Sequence, residues 1–300
     1  MATNIAFIGL GHMGGYMAAN LVKAGHNVLG FDLSEPAIAA AKNAGVPIAE
    51  SGAQAAANAE VVITMLPAGR HVIGALEGPD GLLAAAPKGT LFLECSTIAV
   101  DDARTVHQLL GEAGHRGVDA PVSGGTTGAE NGTLTFMIGG SDEDFAAAEV
   151  IFQDMGKRIV HCGGPGAGQA AKVCNNMILG VSMIAVSEAF VLGESLGLSN
   201  EALFDVASAA TGQCWALTTN CPVPGPVPTS PANRDFQPGF AGALMAKDLG
   251  LAAEAVNSSG VKAQLGLVAE KIYRDFAAGS GAGKDFSGII EEIRAASSGA

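Results

Sequence analysis

At 300 residues and 48% hydrophobic content the chain can bury a large core, and its length fits two domains better than one. A net charge of -13 and an isoelectric point near 4.8 argue against nucleic acid as a partner, because phosphates reward clustered Lys and Arg and no basic run reverses the balance. The cysteines, Cys95, Cys162, Cys174, Cys214 and Cys221, show no C-x-x-C pair and no zinc-like spacing with histidine, which reads as reduced thiols in a cytoplasmic protein.

From Asn4 onward short apolar runs alternate with helical patterns, so neither a charged leader nor an Arg-rich transit segment is expected before the first strand. Strands are predicted at Ile5–Leu10, Asn27–Asp32, Val61–Leu66, Thr90–Glu94, Gly117–Ala120, Leu134–Gly139 and Ile159–Cys162. Helices are predicted over Gly14–Ala24, Glu35–Ala44, Val100–Ala113 and Asp142–Met155, with Ser34 as a cap and Asp101 and Asp102 suited to a helix N-terminus. This alternation predicts a parallel sheet covered on both faces.

After "CGGPGAGQAAK" the character changes. Gly166 to about Leu196 reads as one helix, roughly 45 Å long. Only helical segments are predicted beyond it, at Asn200–Ala210, Phe240–Ser258, Val261–Ala278 and Phe286–Ala296, with a proline-dense loop between Cys214 and Pro238. The apolar run Val173–Gly193 is long enough to span a membrane, but Asn175, Asn176, Ser182, Ser187 and Glu188 are costly in hydrocarbon. It is expected to be a buried core helix. A boundary near Gly163 divides the chain into residues 1–163 and 164–300.

Gly9, Gly11 and Gly14 form G-x-G-x-x-G between the strand "IAFIGL" and an amphipathic helix, and the next strand ends in Asp32, 21 positions after Gly11. A lone glycine fingerprint is weak; in this context it predicts a dinucleotide site. Gly9 permits the tight turn, Gly11 lets the backbone approach the pyrophosphate, and Gly14 allows close helix packing. Leu10, His12 and Met13 share that loop. Asp32 is placed to accept from ribose hydroxyls and to repel a 2′-phosphate, which favours NAD over NADP. The fold class is therefore α/β: a Rossmann-type parallel sheet domain, a long inter-domain helix and an all-helical C-terminal domain.

Three later stretches carry candidate chemistry. In "DAPVSGGTTGAENGTL", Ser123, Gly124 and Gly125 offer a hydroxyl and backbone N–H groups to a carboxylate, although composition alone favours an ordinary glycine loop. In "GAGQAAKVCNN", Lys172, Asn175 and Asn176 fall at i, i+3 and i+4 on one helix face. A lysine among Ala170, Ala171, Val173 and Cys174 is poorly solvated, which lowers its pKa and suits it to take a hydroxyl proton. In "GFAGALMAKDLGLA", Lys247 and Asp248 break an apolar face, and spacing does not separate a functional lysine from an exposed ion pair. Trp215 packs in a core or lines a pocket. The six histidines have no ligand-like spacing, so no metal is expected.

These stretches, together with the closing "KDFSGII", occur in an order that resembles the β-hydroxyacid dehydrogenase family over essentially the whole length. The resemblance implies NAD as cofactor and oxidation of a small 3-hydroxy acid. The first expectation is 3-hydroxyisobutyrate, a step of valine breakdown, with L-serine or glycerate as the alternative; a non-catalytic NAD-binding protein is disfavoured by an intact Lys172 and Asn176. It assigns Lys172 as general acid/base with Asn176 as its substrate-orienting neighbour, and Ser123, Gly124 and Gly125 as a carboxylate clamp. It puts Leu66, Pro67 and Thr97 against the cofactor, Lys247 toward cofactor or substrate, and Phe240 over the pocket, where Asn175 and Trp215 are further candidates. It also implies a homodimer or homotetramer. A phosphorylated substrate is not expected, because no Arg/Lys cluster accompanies these motifs.

Overall fold

In the first strand, β1 (Asn4–Ile8), Ile5 and Phe7 enter one core while Ala6 and Ile8 enter another. Successive side chains of a strand point to opposite faces, so a strand apolar on both must be covered on both. The same division recurs in β3 (Val61–Thr64), with Val61 and Ile63 against Val62, and in β4 (Leu91–Glu94), with Leu91 and Leu93 against Phe92. Each fully buried Phe, Leu or Ile contributes about 1.5–3 kcal/mol, which makes the two faces of this sheet the main store of its stability.

The computed structural model describes residues 2–298. Between β1 and β4 lie α1 (Gly14–Lys23), β2 (Asn27–Phe31), α2 (Glu35–Asn43), α3 (Gly52–Ala56), α4 (Gly69–Leu76) and α5 (Leu82–Ala85). There follow α6 (Val100–Glu112), β5 (Arg116–Asp119), β6 (Val122–Ser123), α7 (Gly125–Glu130), β7 (Leu134–Gly139), α8 (Asp142–Phe152) and β8 (Gly156–Gly163). The strands β2-β1-β3-β4-β5 are hydrogen-bonded in that order and all parallel. Because β2 and β3 flank β1 on opposite sides, a crevice opens beyond the C-terminal ends of β1 and β3, the place where such sheets bind ligands.

The far side of the sheet differs from a uniformly parallel one. β7 runs antiparallel to β5 and β6, and β8 then pairs with it in parallel. A parallel return needs a crossover of about a dozen residues or more, and only α7 and a turn separate Ser123 from Leu134.

The chain divides into two compact units, Met1–Lys172 and Val173–Ala300. The division falls inside α9 (Ala167–Ser195), whereas the sequence places a boundary near Gly163, ahead of the helix. The first turns of α9 stay with the first unit because the Gly166 and Gln169 amides donate to Asp119 at the end of β5, at 2.7 and 2.9 Å. By length and composition α9 could cross a membrane, yet Gln169, Lys172, Asn176 and Ser187 along it are buried within the protein.

The second unit is helical: α10 (Asn200–Ala209), α11 (Trp215–Thr218), α12 (Gly242–Ser259), α13 (Gln264–Ala278) and α14 (Ile289–Ser298), with 3-10 turns at Pro231–Arg234 and Phe286–Gly288. Met183, Met245, Leu249, Tyr273, Phe276 and Phe286 form its main core. A second cluster explains the proline-dense loop. Cys221, Val223 and Phe236 from that segment are buried with Phe190 and Ile290, so the loop is a packed part of the unit.

Candidate functional site

The turn from β1 into α1 is built around absent side chains. Gly9 adopts φ 98°, and a Cβ there would run into the Met65 carbonyl; a Cβ at Gly14 would run into the Gly9 carbonyl. Gly11 differs, since a Cβ built on it meets nothing within 4 Å, which leaves exposed backbone open to a ligand. Asp32, just past β2, accepts from the Leu10 N–H at 2.6 Å and the Ser34 N–H at 2.8 Å. The carboxylate is thereby fixed beside the glycine loop with lone pairs to spare for a diol. His12 is exposed and Met13 half-buried at the start of α1. The open backbone at Gly11, the helix N-terminus and the tethered acid together fit a dinucleotide.

Two further loops end at the same edge of the sheet. After β3, the Leu66 N–H donates to the Ser96 hydroxyl at 2.8 Å, tying the Leu66–Pro67 loop to the Ser96–Thr97 loop after β4. Behind them Glu94 is buried, its Oε1 accepting from the Ser96 N–H at 2.8 Å and from the Thr64 hydroxyl at 3.4 Å. Burial first, and the nearby Asp119 charge further, push its carboxyl up to about 8 against the opposing hydrogen bonds from Ser96 and Thr64. Ser123 closes β6, and Gly124 turns the chain into α7 at φ 135°, a conformation a side chain would strain.

Lys172 is only 8% exposed. Asn176, one turn further along α9, is also buried. In the second unit the Asn176 amide donates to Asp248 Oδ2 at 2.6 Å and its oxygen accepts from the Asn175 amide at 3.0 Å. Asn175 itself is exposed, because i+3 and i+4 lie on diverging sides of the buried stripe. Lys247 Nζ is 3.7 Å from Asp248 Oδ1, with Asp248 buried and Lys247 half-exposed. Spacing alone does not decide that pair; the structure makes its acid a buried support for Asn176. Phe240 is half-buried, 5.7 Å from the Phe286 ring, with its N–H held by Asp285 at 3.0 Å, while Trp215 is exposed at the start of α11. Sequence reasoning passed over Asp248 as a support and over Glu94, Asp119, Gln169 and Asp285 altogether; the available signal was an acid or amide inside an apolar run.

Known proteins carry the same layout. Residues 4–164 match the model of the NAD binding domain of 6-phosphogluconate dehydrogenase, and residues 166–293 that of the NAD-binding domain of NADP-dependent 3-hydroxyisobutyrate dehydrogenase. A probable 3-hydroxyisobutyrate dehydrogenase of Mycobacterium tuberculosis is 55% identical over 98% of both chains. The chain belongs to the 3-hydroxyisobutyrate dehydrogenase family. A solved Mycobacterium tuberculosis member with L-serine superposes at TM-score 0.94, covering 98% of this chain and 100% of that one at 55% identity. An NAD-dependent L-serine dehydrogenase of Pseudomonas aeruginosa is 48% identical over 96% of this chain and 97% of its own.

As a 3-hydroxyisobutyrate dehydrogenase family member the protein is an NAD-binding oxidoreductase. The tethered Asp32 sets an expectation within that activity. A 2′-phosphate beside its carboxylate is a like-charge pair, so kcat/KM with NADP should be lower than with NAD by on the order of 100-fold. Steady-state rates with both cofactors, for wild type and Asp32→Ala, check this: the variant should narrow the ratio, and a wild type that prefers NADP refutes the assignment.

Proposed function

We propose that this enzyme oxidises 3-hydroxyisobutyrate to methylmalonate semialdehyde, with Lys172 taking the hydroxyl proton. The observation that carries the reading is a lysine 8% exposed, one helical turn from a buried asparagine that is itself fixed by a buried acid. Bound NAD supplies the acceptor for the carbinol hydride. Lys172 Nζ then receives the O–H proton as the C–O bond gains its second bond, so the products are the aldehyde, NADH and a protonated lysine. Asn176, oriented by Asp248, holds the reacting oxygen or the lysine in register. Ser123 and the backbone N–H groups of Gly124 and Gly125 hold the carboxylate, and within the second unit Asn175, Trp215, Phe240 and Lys247 are the residues that reach ligand.

L-serine is the second reading, supported by the relative solved with L-serine and by the relative named an NAD-dependent L-serine dehydrogenase. The two substrates differ at C2 in a methyl against an ammonium. An apolar wall accepts the methyl and leaves the ammonium unpaired, which costs affinity. A steady-state panel of 3-hydroxyisobutyrate, L-serine, glycerate and 4-hydroxybutyrate tests the choice: 3-hydroxyisobutyrate should lead by about tenfold or more in kcat/KM. A lead for L-serine replaces the substrate and keeps the chemistry. The carboxylate clamp is tested in the same assay. The matching alcohol without a carboxylate should be a very poor substrate, and Ser123→Ala should lower kcat/KM for the acid by about tenfold with NAD affinity unchanged. Equal turnover of acid and alcohol removes this loop from the site.

We also propose a cytoplasmic homodimer or homotetramer. The second unit leaves Ile178, Leu196, Val206 and Leu265 between 64% and 72% exposed, an apolar surface that a second copy would cover. Sedimentation showing only a 29.9 kDa species at micromolar concentration would refute the assembly.

A further inference from the structure

Gln169 lies three residues before Lys172 on α9 and is 1% exposed. Its carboxamide makes the bonds of a neighbouring strand. Nε2 donates to the Ser96 carbonyl at 2.7 Å, and Oε1 accepts from the Ile98 N–H at 3.2 Å. Those two backbone groups flank Thr97, so one side chain grips the loop on both sides of it. Nε2 has a second, longer contact of 3.3 Å to Glu94 Oε2, and the Ser96 hydroxyl in turn holds the Leu66 N–H.

Capping does not explain this residue. Asp119 already takes the amides of Gly166 and Gln169, and His107 Nε2 stands 2.9 Å from its Oδ1. The backbone N–H of Gln169 thus already serves to cap the start of α9, and its side chain is free to bond elsewhere. A buried amide adds no apolar area, and each unmatched polar atom on it would cost about 1–3 kcal/mol. Helix anchoring alone would be served as well by leucine.

We propose that Gln169 is a positioning residue that locks the Thr97 loop, and with it the Leu66–Pro67 loop, to the turn of α9 bearing Lys172. One side chain then sets both the backbone that meets the cofactor and the base that takes the proton. This rests on the reading of Lys172 as the base, and the experiment separates the two.

Gln169→Met keeps the volume and removes the hydrogen bonds. NAD affinity is measured by fluorescence titration without substrate, and NADH formation in a single turnover at saturating NAD, with the better of 3-hydroxyisobutyrate and L-serine. Both should fall about tenfold, the size of a lost buried hydrogen bond. In a Lys172→Ala background the same substitution should still weaken NAD binding about tenfold but slow the residual rate no further, because its effect on rate passes through Lys172. Wild-type affinity and rate in Gln169→Met overturn the proposal, as does an additive loss of rate in the double variant. A near-normal rate in Lys172→Ala alone overturns the base and the coupling to it, and leaves NAD affinity as the measure of the loop clamp. Should Gln169→Met fail to fold, Gln169→Glu keeps the shape and the acceptor for Ile98. Its NAD affinity should lie below wild type, and equality with wild type overturns the clamp.

Discussion

With Lys172 replaced by alanine, single-turnover formation of NADH is expected to slow by at least about 100-fold, the usual cost of a lost general base. Hydride cannot leave the carbinol unless the hydroxyl proton also leaves, and in the proposed mechanism the buried lysine amine one turn before Asn176 takes it. NAD binding should change little, because the glycine turn between β1 and α1 and the Asp32 tether just past β2 are not part of α9. Lys172→Met, which keeps the alkyl stem and its packing, should be as slow as Lys172→Ala, which separates lost proton transfer from a lost core contact. Lys172→Arg should rescue neither direction, because a guanidinium stays protonated. If Lys172 is the base, as proposed, oxidation needs its neutral amine and reduction of the aldehyde its ammonium, so the two directions should show opposite pH limbs that vanish together in Lys172→Ala. A near-normal rate in a folded variant with intact NAD binding would sink the mechanism.

How much of this could be read in advance depends on how far apart the partners lie along the chain. The glycine turn was legible because strand, G-x-G-x-x-G, helix and Asp32 all fall between Asn4 and Asp32, and each residue's task is local. The long helix was legible from its length and polarity, and it runs from Ala167 to Ser195. The antiparallel turn of β7 was not, since an apolar run has the same period in either direction. Gln169 and Asp248 were illegible for a related reason. Gln169 reaches back to Ser96 and Ile98, and Asp248 reaches back to Asn176, separations at which residue type gives no hint of partner. The short helices α3, α4 and α5 carry too few turns to show a period. In the proline-dense loop, Val223 and Phe236 had no periodicity to betray that they are core.

The other large effect expected concerns stability and belongs to Glu94. Its carboxyl faces Thr64 on β3, Ser96 beyond its own strand, Gln169 on α9 and the Asp119 charge on β5. The folded protein therefore keeps the proton up to about 8, whereas the unfolded chain releases it near the ordinary glutamate value of 4.5. Between those values the native state binds more protons than the unfolded state, so stability falls as pH rises through that window and levels off above it. The slope from this one group is at most about 1.4 kcal/mol per pH unit. Glu94→Gln keeps the shape and the acceptor for the Ser96 N–H and cannot ionise. It should match wild type near pH 5 and exceed it by several kcal/mol, about 3–4 at the most, near pH 8. Urea unfolding of both proteins at pH 5, 6.5 and 8 measures the difference directly. A gap that stays constant across those three values would mean that the Glu94 carboxyl is ionised in the folded protein throughout, and that something else in the chain balances its burial.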